Sequence, residues 1–331
     1  MSAATDGALL PRTRFSVDGL AVGITLERVG PRQGPPVLLV PGLGATPAPF
    51  SLHPRCSLAA ALQAAGRTTW TVDFGLTWRG QGQDLRAVLH ALEVALAELR
   101  RHAGVDLDEV DVVGHSMGGI LMLALLADGV PLRRGVALAS GLDYRLGSSP
   151  LPRLLSLSPK GLSPLRLPDL GGGLPLKGLA RLGGRVFGRG LKLPIERDQF
   201  HPGTTDPDTL RAAVRAGVRD IPWALLLDLA DLFTEKGLVL GVGGYPLRAA
   251  AARIRRPVLM VAARQDRQCP VESVRDAARR IPGARLLEVG GDGAPGEGYG
   301  HLDLMTGARA PEEVFAPICR FLADPDPLET P

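Results

Sequence analysis

Short, nearly unbroken apolar runs recur along the chain, separated by stretches of helical period. Val37-Leu38-Leu39-Val40 and residues 110–113, 135–139 and 258–262 are such runs, each four or five residues long. That length is typical of strands, and the lack of alternation marks strands covered on both faces, as in a parallel sheet. Residues 68–74 and 285–289 are further strand-like segments. Residues 84–102 set their apolar side chains on one face of a long amphipathic helix, and 120–127 predict a shorter, wholly apolar one. Near the start, residues 15–17 and 21–26 flank Asp18-Gly19, a pair that tolerates positive φ, which predicts an opening hairpin. Strands alternating with helices imply right-handed βαβ crossovers, so the expected class is α/β with a mostly parallel, doubly wound sheet.

One stretch breaks the pattern. Residues 145–192 carry nine Lys/Arg against a single acidic residue, Asp169, mixed with many leucines, prolines and glycines. Two helical patterns follow, at 208–218 and 222–236. We read 143–256 as an inserted cap or lid, with 1–142 and 257–331 forming one core. No internal repeat of fixed period is visible.

A chain of 331 residues can bury a large core without needing two domains. Its net charge of +4 is modest, and no run of Lys and Arg interleaved with aromatics would track a nucleic-acid backbone, so nucleic acid is not an expected partner. Cys56, Cys269 and Cys319 are odd in number and far apart, which fits neither a disulfide framework nor a zinc knuckle. They read as free thiols in a reducing compartment. Residues 1–14 hold Asp6 and no apolar run of signal-peptide length, and nowhere do 18 uncharged apolar residues run together. A soluble, cytoplasmic protein is the expectation, with nothing to specify its oligomeric state.

The chemistry starts at Gly114-His115-Ser116-Met117-Gly118, followed by Gly119, where an apolar strand turns abruptly into an apolar helix. In a G-x-S-x-G elbow the serine occupies a strained turn, and the glycines let strand and helix approach closely. The bland alternative is a Gly-rich turn with a capping serine; the flanking strand and helix favour the elbow. Ser116 is therefore the candidate nucleophile. A serine hydroxyl needs a base to take its proton as attack proceeds. Of the six histidines, His90 and His102 fall in the amphipathic helix, His53 precedes a helix, His115 is inside the elbow and His201 lies in the cap. Only His301 follows the last strand, in a Gly-rich loop that can carry it back over the sheet. A carboxylate must then hold the imidazole tautomer. Asp266, after the 258–262 strand and before Pro270, has the right place in the chain order Ser, acid, His. Asp143 and Asp303 are its rivals, the second too near His301 in sequence to approach from the usual side. Cys269 lacks elbow glycines and reads as a small packed residue. Two backbone donors are needed for an oxyanion: the N–H of Met117, and one from Pro41-Gly42-Leu43-Gly44, where Leu43 is the candidate.

With these residues placed, the chain resembles the α/β-hydrolase superfamily over most of its length, the cap excepted. The resemblance rests on residues 37–44, 114–119 and 257–270 and the segment around His301. Gly300-His301-Leu302-Asp303 followed by Gly307 looks like the corresponding end of acid lipases, whereas Pro41-Gly42 replaces the more usual His-Gly start. Polyhydroxyalkanoate synthases are similar in layout but have a cysteine where this chain has Ser116, and haloalkane dehalogenases have an aspartate there. The resemblance implies hydrolysis of carboxylic esters through an acyl-enzyme, with no metal or organic cofactor. Acyl transfer or thioester cleavage by the same triad, and a non-catalytic binding protein of the same fold, are the alternatives. The leucine-rich, basic cap suits an acyl chain or an anionic lipid surface, which makes a lipid-like ester and peripheral membrane contact through the cap one reading; a solvated, partly irregular lid with an ordinary core is the other.

Overall fold

A computed structural model describes residues 11–52, 56–147, 172–183, 194–241 and 243–324. Most of the basic half of the insertion, including Arg185, Arg189 and Lys192, lies outside the described residues.

The apolar runs form the predicted strands. These are β1 (Arg12–Val17), β2 (Ile24–Val29), β3 (Pro36–Val40), β4 (Thr68–Phe74), β5 (Asp111–His115) and β6 (Arg134–Leu138). Two short strands, β7 (Gly173–Leu174) and β8 (Ile221–Pro222), pair with each other in the insertion, and β9 (Val258–Ala263) and β10 (Arg285–Val289) complete the main sheet. Its eight strands lie in the order β1-β2-β4-β3-β5-β6-β9-β10. From β4 onward every pairing is parallel, while β1 and β2 add an antiparallel edge. Strands β3, β5, β6 and β9 are buried along their whole length, which is why they read as unbroken apolar runs rather than alternating ones.

Helices flank the sheet. The long helix α2 (Leu85–Ala103) begins where the Asp84 carboxylate accepts from Ala87 N–H at 2.8 Å and stops at Gly104 with φ 69°. It turns Val88, Leu92, Leu96 and Leu99 inward. α3 (Met117–Ala127) is buried on every side and has no amphipathic pattern to show, as befits a helix in the middle of the core. α1 (Leu58–Ala64) precedes β4, and the chain between β6 and β9 contributes α4 (Leu176–Gly183), α5 (Pro194–Gln199), α6 (Pro207–Gly217), α7 (Trp223–Leu229) and α8 (Leu247–Ala250). α9 (Val271–Arg280), α10 (Asp303–Thr306) and α11 (Ala316–Ala323) follow.

Two elements differ from the sequence reading. The second hairpin strand starts at Ile24 rather than 21, because Val17 pairs with Ile24 and the carbonyl of Gly23 is drawn to Gly75 N–H at 2.7 Å. The turn is thus a six-residue loop with Gly19 at φ 85°. The helix expected over 222–236 tightens into a 3₁₀ turn at Ala230–Phe233. There the Thr234 hydroxyl bonds the Asp231 carbonyl at 2.9 Å, and Gly237 turns left-handed at φ 73°.

Candidate active site

Because β3, β5, β6, β9 and β10 run parallel, their C-terminal ends open on one edge of the sheet, where loops in such folds gather their ligand-binding groups. Ser116 follows β5, Asp266 follows β9, His301 ends the loop after β10, and Leu43 lies in the loop after β3. All the sequence-predicted site residues therefore arrive at that edge.

Ser116 has φ 54° and ψ −119°, one of two non-glycine residues with positive φ among the described residues. Such a conformation costs about 1–3 kcal/mol and persists only where neighbours over-determine it. They do so here. Ser116 N–H donates to the Leu138 carbonyl at 2.8 Å, and its own carbonyl accepts from Gly119 N–H at 3.0 Å and from the Ser140 hydroxyl at 2.9 Å. The close approach explains the glycines: a methyl group on Gly118 would collide with the carbonyl oxygens of Val40 and Pro41. Ser140, beyond β6, escapes sequence reasoning because its partner is a backbone atom on another strand.

Loop 41–46 passes over the serine. A Cβ on Gly42 would stand 3.0 Å from Ser116 Cβ and 3.1 Å from His115 Nδ1, tighter than ordinary contact, so a side chain there would press the loop away from the serine. Met117 is the first residue of α3, and its N–H is one of those that a helix leaves without an internal partner.

His301 and Asp266 are brought together. His301 Nδ1 donates to Asp266 Oδ2 at 2.7 Å, and both side chains are buried, at 8% and 1% exposure. Asp266 Oδ1 accepts from the N–H groups of Gln268 (2.7 Å) and Cys269 (3.0 Å). The carboxylate is thus fixed from one side by backbone and presents its other oxygen to the imidazole. Ser116 lies beside this pair through its neighbour: the His115 and His301 ring centres are 4.6 Å apart, and His115 Nε2 donates to the His301 carbonyl at 3.1 Å. Burial first, and the neighbouring His301 second, hold His115 well below the ordinary imidazole pKa, so it is a neutral donor here. Among the described residues the hydrogen bond of the His301 ring is the one to Asp266, and none joins His301 Nε2 to the Ser116 hydroxyl.

The rivals for the acid position are occupied elsewhere. Asp143 pairs with Arg145 at 2.6 Å and Arg248 at 3.1 Å, and its hydrogen bond from Arg145 holds its carboxyl below the usual range. Asp303 is fully buried and accepts from His201 N–H (2.6 Å), Gly300 N–H (2.8 Å) and the Thr205 hydroxyl (2.5 Å), not from the His301 ring. Burial pushes its pKa up to about 6. The Cys269 thiol is buried and raised far out of the reactive range by desolvation, in keeping with a packed residue. Among the described residues, no group of three or more His, Cys, Asp or Glu side chains is gathered so as to hold a metal ion, and no helix is long and apolar enough to cross a membrane.

No curated protein matches the chain in sequence. Solved structures do match in shape. Bromoperoxidase from Bacillus anthracis is 17% identical at a TM-score of 0.58, covering 94% of this chain and 100% of its own. The enol-lactonase from Burkholderia xenovorans is 17% identical at 0.57, covering 93% and 100%. The monoacylglycerol lipase from Paleococcus ferrophilus is 17% identical at 0.54, covering 95% and 98%. At that identity these likenesses speak for the fold alone. The family model described as "Alpha/beta hydrolase family" matches residues 37–316, from the start of the parallel sheet to beyond His301, and the chain belongs to the α/β-hydrolase family.

Proposed function

We propose that the protein is a serine hydrolase of carboxylic esters that works through an acyl-enzyme, with Ser116 as nucleophile, His301 as base and Asp266 as the orienting acid. The observation that carries the proposal is the 2.7 Å bond from His301 Nδ1 to a carboxylate already held by two backbone donors. With its proton held on Nδ1, His301 keeps the Nε2 lone pair free to accept a proton. Ser116 Oγ then attacks the ester carbonyl as His301 Nε2 takes its proton. The developing oxyanion is met by the N–H groups of Leu43 and Met117, the second at the positive end of α3. Collapse expels the alcohol, which receives the proton from His301, and water repeats the sequence to release the acid.

The insertion, 143–256, is read as a lid over the acyl pocket, and a lipid-like ester in the cytoplasm is the substrate class that its leucine-rich, basic composition favours. Hydrolysis of p-nitrophenyl esters of graded chain length by wild type, Ser116→Ala, His301→Ala and the double variant tests the reading. Each single variant should lose nearly all turnover and the double little more, because triad members act as a unit. Wild-type-like turnover by either single variant overturns the assignment.

A further inference from the structure

The two loops that flank the site are both tied to one element, helix α6. At its C-terminal end the residues after the helix are stitched to loop 41–46. Arg219 N–H donates to the Gly44 carbonyl at 2.7 Å, Thr46 N–H to the Gly217 carbonyl at 2.9 Å, and the Thr46 hydroxyl to the Ala216 carbonyl at 2.7 Å. Ala45 and Val218 form an antiparallel bridge between these bonds. The Arg219 side chain carries the stitch on to the sheet: its Nε donates to Asp73 Oδ1 at 3.1 Å and its Nη2 to Oδ2, at the end of β4.

At the N-terminal end, residues 199–205 are joined to the loop bearing His301. Asp303 gathers His201 N–H and the Thr205 hydroxyl on one side and Gly300 N–H on the other. Leu302 N–H donates to the Gln199 carbonyl at 2.9 Å, and the Thr204 hydroxyl to that of Gly298 at 2.6 Å. Beneath the helix, Phe200, Leu210, Ala213 and Val214 form a small apolar core separate from the main one. Val218 from the first end and Leu302 from the second both pack on it, so the core touches the two loops at once.

We propose that α6 is a strut that sets the spacing between loop 41–46 and the His301 loop, with Arg219 and Asp303 as positioning residues at its two ends. The inference rests on the functional reading above, since the spacing matters only if one loop supplies an oxyanion donor and the other the base. Loops are ordinarily the mobile part of such a site. An eleven-residue helix is a rod of about 16 Å, stiff enough to hold them in register. A misplacement of about 1 Å in such a constellation costs on the order of 10²-fold in rate. By contrast, the Arg219–Asp73 pair is partly exposed, at 23% and 22%, and contributes little to stability as an ion pair. Its effect should therefore fall on turnover.

Arg219→Gln, Thr205→Val and the double variant are assayed on p-nitrophenyl acetate beside wild type, Arg219→Lys and Ser116→Ala, with a thermal melt of each. Thr205 is chosen at the second end because losing the buried Asp303 threatens folding. Each single variant should lower kcat about tenfold or more while leaving KM within about twofold. Arg219→Lys, which keeps a cation for Asp73, should recover part of the loss. The double variant should lose less than the product of the singles, because both changes loosen the anchoring of the same strut, whereas independent distant sites are additive. Wild-type kcat in Arg219→Gln, multiplying losses in the double, or losses matched by a fall in folded protein overturn the strut. An inactive Ser116→Ala beside any of these results overturns the strut alone; wild-type turnover in Ser116→Ala overturns the functional reading and the strut with it.

Discussion

Replacing Asp266 by asparagine separates the role of its charge from the role of its shape. The two N–H groups of Gln268 and Cys269 converge on one carboxylate oxygen at 2.7 and 3.0 Å, so the asparagine carbonyl must take that place. Its NH₂ then faces His301 Nδ1 across the present 2.7 Å gap and can only donate. The imidazole proton is forced to Nε2, where the lone pair is needed to accept from Ser116. In the serine-protease triad this tautomer error costs about 10⁴ in kcat, equivalent to about 5.4 kcal/mol of barrier. Asp266→Ala does different damage. It leaves the buried Cys269 N–H, the half-buried Gln268 N–H and the imidazole without their acceptor, at about 1–3 kcal/mol of stability for each buried donor left unmet, but lets the imidazole choose its tautomer. The Asn variant should therefore be the better folded of the two and no more active than the Ala variant. Steady-state hydrolysis of p-nitrophenyl acetate and urea unfolding of both variants check this. An Asn variant within tenfold of wild type, or an Asp143→Asn variant that is the more damaged, would refute the assignment of the acid.

Two further outcomes follow from other parts of the molecule. Asp303 holds its proton more tightly folded, at about 6, than at its ordinary 3.8. Its stabilising contribution is complete below 3.8 and is lost as pH rises through about 6, with a slope near 1 kcal/mol per pH unit around pH 5. Unfolding free energies measured from pH 4.5 to 7 should show this slope in wild type and lack it in Asp303→Asn; parallel profiles contradict it. If residues 143–256 form a lid that docks on anionic surfaces, Arg181, Arg185 and Arg189 changed together to Gln should weaken co-sedimentation with anionic vesicles while sparing hydrolysis of a short soluble ester. Parent binding should also fall between 0.1 and 1 M salt, as the screening length drops from about 10 to about 3 Å. Undiminished binding by the triple variant, or no binding by the parent, removes the proposed electrostatic role of this segment.

The parallel sheet was legible in the sequence because its strands are buried on both faces, and a continuous apolar run such as Val37-Leu38-Leu39-Val40, too short for a helix, is the direct mark of that burial. Ser116 was legible for a local reason too: the elbow's backbone strain and the glycines that relieve its crowding are written within six residues. Asp266 could be placed by strand order, and the structure puts its carboxylate against His301. The long-range ties were not legible. Nothing in the period around residue 219 points to Asp73, 146 residues earlier, and Ser140 serves the elbow by binding a carbonyl 24 residues away. In the sequence Asp303 reads only as a rival acid; its three donors, on His201, Thr205 and Gly300, give it a mechanical role instead. Such contacts depend on tertiary geometry and leave no periodic trace.

The proposed mechanism stands or falls with Ser116 as a nucleophile activated by His301. Labelling with a fluorophosphonate followed by peptide mass spectrometry tests it most directly, because the reagent forms a covalent bond only with an activated serine. A single adduct is expected on the peptide that contains Ser116, absent in Ser116→Ala and strongly slowed in His301→Ala. An adduct on another serine such as Ser140, or labelling of His301→Ala at the wild-type rate, would contradict it.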